Sequence, residues 1–326
     1  MSLPVMARPD TVLPDFALDA IGSSVAPASG VRFVNAMTVD VEDYFQVSAF
    51  DAAVPRSSWE SRESRVCANT ARLLDLFAEA DVKGTFFVLG WVADRFPALI
   101  RRIVDAGHEL ASHGYEHRLV YAQSRAEFRA DLRSARVALE QAGGGPVLGY
   151  RAPSFSIVRD SLWALDVLIE EGYLYDASIY PIRHDRYGIP EWSRSVHRVE
   201  RPGGTIWELP GSTLRVGATN LPVGGGGYFR LLPYAWTHFG IARLNASRQP
   251  AIFYLHPWEI DPKQPRIAAG RLSTFRHYRN LEHTEPRLRR LLREFPFGRV
   301  SDVLAGAALR GPEPLAVAGG RAVRNY

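Results

Sequence analysis

The strongest constraint on this chain is an alternation. Strand-like runs at 33–41, 84–90, 109–112, 147–151, 173–176, 205–209 and 251–255 take turns with helical patterns at 70–80, 97–106, 126–141, 160–171, 232–244 and 285–294. The run Thr85-Phe86-Phe87-Val88-Leu89, bounded by Gly84 and Gly90, is apolar throughout and bespeaks a short buried strand. Repeated β-α units with short connections predict a parallel sheet, closed as a barrel or open and doubly wound. No Gly-x-Gly-x-x-Gly marks the first strand-to-helix turn, which argues against a dinucleotide site. From 177 to 230 the alternation is interrupted by Pro181, Pro190, Pro202, Pro210, Pro222 and a glycine run at 224–227. That segment is expected to be an irregular insertion shaping a binding site, with the glycines as a backbone hinge.

Composition excludes several classes. With 326 residues, 46% apolar and 23% charged, the chain is neither disordered nor fibrous, and its core needs no covalent staples. The single cysteine, Cys67, rules out an internal disulfide and a multi-thiolate metal site, and it reads as a packed thiol. All but Lys83 and Lys263 of the 39 basic residues are arginines, giving a net charge of +4 with no dense basic block, so no nucleic-acid partner is expected. No apolar run approaches the roughly 18 residues of a membrane span. Residues 1–30 read as a flexible arm and 310–326 as a flexible tail, leaving one domain over 31–309. Without a signal-peptide pattern the chain reads as cytoplasmic, or peripheral to the inner membrane.

Polar residues collect where the strand-like runs end. Asp40, Glu42 and Asp43 close the first, His113 the third, Arg151 the fourth, Asp176 the fifth and His256 the last. In barrels that edge carries the active site, because its loops converge on one mouth. His113 and His117 are four apart, which on a helical turn would place both imidazoles on one face toward a metal. A carboxylate from another strand would complete a catalytic rather than a structural site, with positions left open for water and substrate.

Taken in order, Asp40-Val-Glu42-Asp43-Tyr-Phe, Gly107-His-Glu-Leu-Ala-Ser-His113-Gly-Tyr-Glu-His117, Arg151-Ala-Pro153-Ser-Phe and Leu255-His256-Pro resemble the polysaccharide deacetylase family with its NodB homology domain. The opening Asp-Val-Glu-Asp-Tyr-Phe, the run Gly225-Gly226-Gly227-Tyr-Phe-Arg and the ending His256-Pro-Trp-Glu resemble its exosortase (PEP-CTERM)-associated branch. The resemblance spans about 32 to 305. It implies a distorted (β/α) barrel of about seven parallel strands, a divalent metal (usually zinc), and removal of N-acetyl groups from amino sugars of a polysaccharide or lipid-linked oligosaccharide.

Matched motif by motif, the resemblance makes Asp40 the catalytic base, His256 the catalytic acid, and His113 and His117 metal ligands. Arg151 would hold the base and Asp176 would orient the acid. The family's adjacent aspartates are absent here, since Val41 follows Asp40. Glu42 is then the third ligand, sharing a strand face with Asp40; in the other register Glu42 is the base and Asp43 the ligand. Ser154 would offer its backbone N–H to an oxyanion and Leu255 the apolar floor of an acetyl pocket. Trp258 and Trp192 are the candidates for stacking on a sugar ring. Two other functions remain open: hydrolysis of a non-sugar amide or cyclic imide, as in allantoinase-like relatives, and a catalytically silent sugar-binding barrel.

Overall fold

Strands that read as unbroken apolar runs have to be covered on both faces, and here they are. The computed structural model describes residues 33–310. In chain order the strands are β1 (Asn35–Val41), β2 (Thr85–Val88), β3 (Glu109–Ser112), β4 (Gly149–Tyr150), β5 (Tyr175–Asp176), β6 (His197–Arg201), β7 (Gly204–Glu208), β8 (Thr213–Val216), β9 (Thr219–Pro222), β10 (Ile252–Leu255) and β11 (Phe297–Gly298). One sheet runs β10-β1-β2-β3-β4-β5-β7-β6, with β11 paired to the start of β1. From β10 to β7 every pairing is parallel, which makes seven parallel strands; β6 is an antiparallel edge on β7. Every residue of β1, β2 and β10 is buried. This is the distorted (β/α) barrel. The arm expected over 1–30 lies outside the described residues, as does the tail beyond Arg310.

Helices follow the strands with local chemistry that explains their ends. Helix Arg125–Gly143 begins with a capping box between Ser124 and Glu127 and stops at Gly144, whose φ of 76° is left-handed. The turn expected to carry His113 and His117 as a helix is instead a loop. Gly114 (φ 75°) and His117 (φ 54°) are both left-handed, a geometry no α-helix continues through. The loop is held by its carbonyls, since Gly114 O and Tyr115 O accept the N–H groups of Gly90 and Trp91 at the start of helix Gly90–Arg95.

The segment 177–230 is more ordered than its prolines suggest. It supplies β7, a full member of the barrel, the edge strand β6, and a separate β8–β9 hairpin. The glycine run is a closure rather than a hinge. Gly224 O accepts the N–H of Tyr254, and Gly225 pairs in parallel with Tyr254 on the open side of β10. Gly225 has φ 114°, and a Cβ there would collide with the backbone carbonyl of Tyr254. Only glycine fits so close an approach. Gly225→Ala should therefore cost at least about 2 kcal/mol. Denaturant unfolding measures this, and an unchanged midpoint would show that the closure tolerates a side chain.

Candidate active site

The barrel brings the residues at its C-terminal strand ends to one place. Glu42, just beyond β1, His113, just beyond β3, and His117 in the following loop are all buried, with one ligand atom of each within 4.8 Å of the others. The Nδ1 of His113 lies 2.8 Å from the backbone carbonyl of Arg151. A carbonyl only accepts, so Nδ1 carries the proton and Nε2 keeps its lone pair, the tautomer usual for a metal ligand. Burial lowers the His113 pKa to about 4, which keeps the ring neutral.

Glu42 Oε2 is 2.7 Å from His117 Nε2, yet it is buried with no hydrogen-bond partner among the described residues. Burial opposes ionisation of Glu42, but the close contact with His117 and the charge of His256 outweigh it and hold the carboxyl well below the usual range. An ionised carboxylate with an unsatisfied oxygen between two imidazoles is a donor set that fits a divalent cation.

Asp43 faces elsewhere. Its Oδ2 accepts hydrogen bonds from Ser64 Oγ (2.7 Å) and the N–H groups of Arg65 (2.8 Å) and Val66 (3.2 Å), capping helix Val66–Glu79. Its Oδ1 accepts from the Tyr44 N–H at 3.0 Å. The alternative register, with Asp43 in the ligand set, is corrected on that ground: its oxygens are occupied by a helix terminus.

Asp40 lies on the strand face it shares with Glu42. Arg151 Nη1 donates to Asp40 Oδ1 at 2.7 Å and to Thr38 Oγ1 at 2.7 Å, while Arg151 Nε donates to Ala177 O at 3.1 Å. On the opposite side, His256 Nε2 stands 3.7 Å from Glu42 Oε1 and 3.9 Å from Asp40 Oδ2. Burial would lower the His256 pKa, but Glu259, Glu42 and Asp40 together raise it to about 9. The ring is an imidazolium at neutral pH.

The carboxylate that orients His256 is Glu259, not Asp176. Glu259 Oε2 is 3.1 Å from His256 Nδ1 and accepts the His256 backbone N–H at 3.0 Å. Its other oxygen takes Arg230 Nε at 2.6 Å, and Arg230 is itself fixed by the carbonyls of His277 and Arg279. Both residues stand in stretches that the sequence singles out, and the spacing of His256 and Glu259 is that of a capping box. Their pairing, however, joins positions 29 apart.

Asp176 is buried beside Glu208, its partner across β5 and β7. Burial raises both carboxyls, Asp176 to about 6 and Glu208 well above the usual carboxylate range. Asp176 accepts from Ser178 Oγ, which in turn accepts the Ala152 N–H at 2.7 Å. It thus supports the Arg151 loop and touches no part of His256.

Trp258 is also corrected as a sugar platform. It is buried, stacked against His256 (5.0 Å) and His277 (4.0 Å) with Arg230 also over the ring (5.3 Å), and its Nε1 donates to Glu42 Oε1 at 3.1 Å. A ring so enclosed has no face left for a ligand. Trp192 packs on His197 at 5.9 Å rather than on the cluster of acids and imidazoles. Leu255, opposite Val39 across β10 and β1, is fully buried. Ser154 has a left-handed φ of 53°, and its Oγ is 2.6 Å from Ser48 Oγ.

With this geometry in view, comparison with known proteins is informative. The polysaccharide deacetylase family model matches residues 50–168. A second model, a domain of unknown function (DUF3473) found in PEP-CTERM-associated deacetylases, matches residues 177–305. The chain is 33% identical over 142 residues to a chitooligosaccharide deacetylase of Sinorhizobium fredii, covering 42% of this chain and 63% of that protein. It is 31% identical over 98 residues to a peptidoglycan-N-acetylglucosamine deacetylase of Bacillus cereus, covering 30% of this chain and 36% of that one. The chain thus matches less than two thirds of the length of either relative. A polysaccharide deacetylase homologue from Mycobacterium smegmatis shares the fold with TM-score 0.58 at 22% identity, covering 91% of this chain and 99% of its own. Puue allantoinase shares it with TM-score 0.57 at 17% identity, covering 90% and 98%. Residues 50–168 thus match the polysaccharide deacetylase (NodB homology) domain and residues 177–305 the DUF3473 domain, and the two matches together take in most of the barrel.

Proposed function

We propose that this chain is a divalent-cation-dependent hydrolase that removes N-acetyl groups from amino sugars of a polysaccharide or its precursor, in exopolysaccharide biosynthesis or modification. The observation that carries the reading is one arrangement: the Glu42–His113–His117 cluster lies beside an arginine-held carboxylate, Asp40, and an imidazole, His256, held by Glu259. An amide needs both a base to activate water and an acid to release the amine, and a carboxylate and an imidazole placed on either side of the cluster can divide those two tasks.

A divalent cation held by Glu42, His113 and His117, zinc being the usual one in such a donor set, supplies Lewis-acid activation of water and carbonyl. Asp40 accepts the proton of the attacking water, its carboxylate kept in place by Arg151. The Ser154 N–H assists the developing oxyanion, and Leu255 lines the acetyl end. His256 gives its proton to the departing nitrogen, with Glu259 holding the ring by Nδ1 so that Nε2 faces the reaction. Asp176 acts at a distance, keeping the Arg151 loop in register through Ser178.

Release of acetate from N-acetylglucosamine oligomers tests the reading directly. Turnover of a cyclic ureide with no acetate from any glycan would replace it with the allantoinase-like one. Metal binding without turnover of any amide would leave a silent sugar-binding barrel. Asp40→Asn and His256→Ala should each keep the cation and lose about 10²–10⁴-fold in kcat.

Glu42→Gln and His113→Ala should lose most of the bound cation, measured by elemental analysis of dialysed protein. Asp43→Ala should keep it while losing about 1–3 kcal/mol of stability, since three donors at a helix start are left without their acceptor. A normal metal content in Glu42→Gln would remove Glu42 from the ligand set.

The pH profile tests the acid. His256 must be protonated, and Glu259 raises its pKa, so kcat/KM should fall as pH rises through the His256 pKa. A bound cation cancels the pull of Glu42 but not that of Glu259. Glu259→Gln should then move the alkaline limb to lower pH. An alkaline limb at the same pH in this variant would show that Glu259 does not support the acid.

A further inference from the structure

One surface beside the mouth has no role in the chemistry above. Residues 262–281 carry Lys263, Arg266, Arg271, Arg276 and Arg279 without a single carboxylate. Helix Arg271–Tyr278 lies in the middle of this stretch. Its inner face is tied to the site, since His277 stacks on Trp258 and Trp258 on His256. Its outer face shows Leu272, 58% exposed, and Phe275, 54% exposed, three residues apart and so neighbours on one side. Two large apolar side chains in water, framed by cations and two aromatic rings away from a catalytic imidazole, ask for a partner that is both apolar and anionic.

We propose that this face docks the protein on an anionic lipid surface, placing the mouth of the barrel against a lipid-linked glycan. Leu272 and Phe275 enter the boundary between headgroups and acyl chains, and the surrounding arginines meet the lipid phosphates. Arg276 is shared with Asp185 at 3.8 Å, which links the helix to the 182–188 segment, and that segment reaches the site through the hydrogen bond from Arg186 to Ser48. A soluble polyanionic glycan would satisfy the arginines but offers nothing to Leu272. That difference favours lipid.

The docking stands on the surface alone; that it delivers a substrate rests on the deacetylase reading. The test uses the full chain and flotation with phosphatidylcholine vesicles, with and without phosphatidylglycerol. Binding is expected only with phosphatidylglycerol, weakening as salt rises. Leu272→Ser/Phe275→Ser and Arg271→Glu should each weaken it roughly tenfold while leaving thermal stability and acetate release from a soluble oligomer unchanged. No binding to the anionic vesicles, or undiminished binding by both variants, would overturn the proposal. So would equal affinity for soluble polygalacturonate that the Leu272/Phe275 variant retains, which would assign the face to an acidic glycan. Vesicle binding without acetate release from any glycan would sink the deacetylase reading and leave the docking intact.

Discussion

The site depends on the burial of Arg151. Its guanidinium is held by Asp40, Thr38 and the carbonyl of Ala177, and it rests over the Phe87 ring at 4.2 Å. Its own carbonyl accepts the Nδ1–H of His113. One residue therefore sets the direction of a carboxylate at one end and the tautomer of an imidazole at the other. A lysine could supply the charge, but a single ammonium cannot reproduce a planar fork that serves three acceptors at once. The position follows from β4, only two residues long, which ends so that Arg151 projects across the barrel toward β1. The Asp176–Glu208 pair and Ser178 brace the next turn of the same loop.

A second arginine repeats the device across the mouth. Arg230 and Glu259 are almost wholly buried, and the pair ends on His256. Buried ion pairs contribute little net stability, because desolvation offsets most of their attraction, whereas breaking one by removing a partner costs about 3–5 kcal/mol. Their value here is in placement. Arg151 holds the Asp40 carboxylate beside the ligand cluster, and Glu259 holds the His256 imidazole, whose Nε2 stands within 4 Å of both Asp40 and Glu42. Two reactive groups at such close range need a fixed partner behind each, and the Arg151–Asp40 and Arg230–Glu259 pairs supply it.

Much of this was legible in the sequence, for physical reasons that can be stated. Strands β1, β2 and β10 announce themselves as largely apolar runs because both their faces are covered, and the reactive residues announce themselves as polar breaks where the strands end. What escaped was decided by side-chain direction. Asp43 follows Glu42 by one residue and so points away from it, to a helix start contributed by residues 64–66. His113 and His117 have helical spacing, but a left-handed backbone brings them together instead. Trp258 is a candidate for stacking on a sugar ring, whereas its stacking against His256 and His277 buries it. Glu259 and Arg230 stood in quoted motifs without a role, because no local pattern says that residues 29 apart will meet. Asp176 was given the task of Glu259, and a buried partner across the sheet claims it instead.

The two matched segments divide the chain at about residue 170, yet the site does not divide there. His113, His117 and Arg151 come from the first segment, and Arg230, His256 and Glu259 from the second. Asp40 and Glu42 belong to neither, being carried on β1, the strand that pairs with both β2 and β10. The second segment also supplies β7 and the Gly225 bridge that closes the side of β10 not paired with β1. It is therefore the remaining part of one barrel, not an independent module beside it. A base anchored by the first segment and an acid anchored by the second are held within 4 Å of each other because the base stands on β1, which pairs with β10, the strand that ends at the acid. Each half presents the other with the charge it needs, so neither half-site has its chemistry alone.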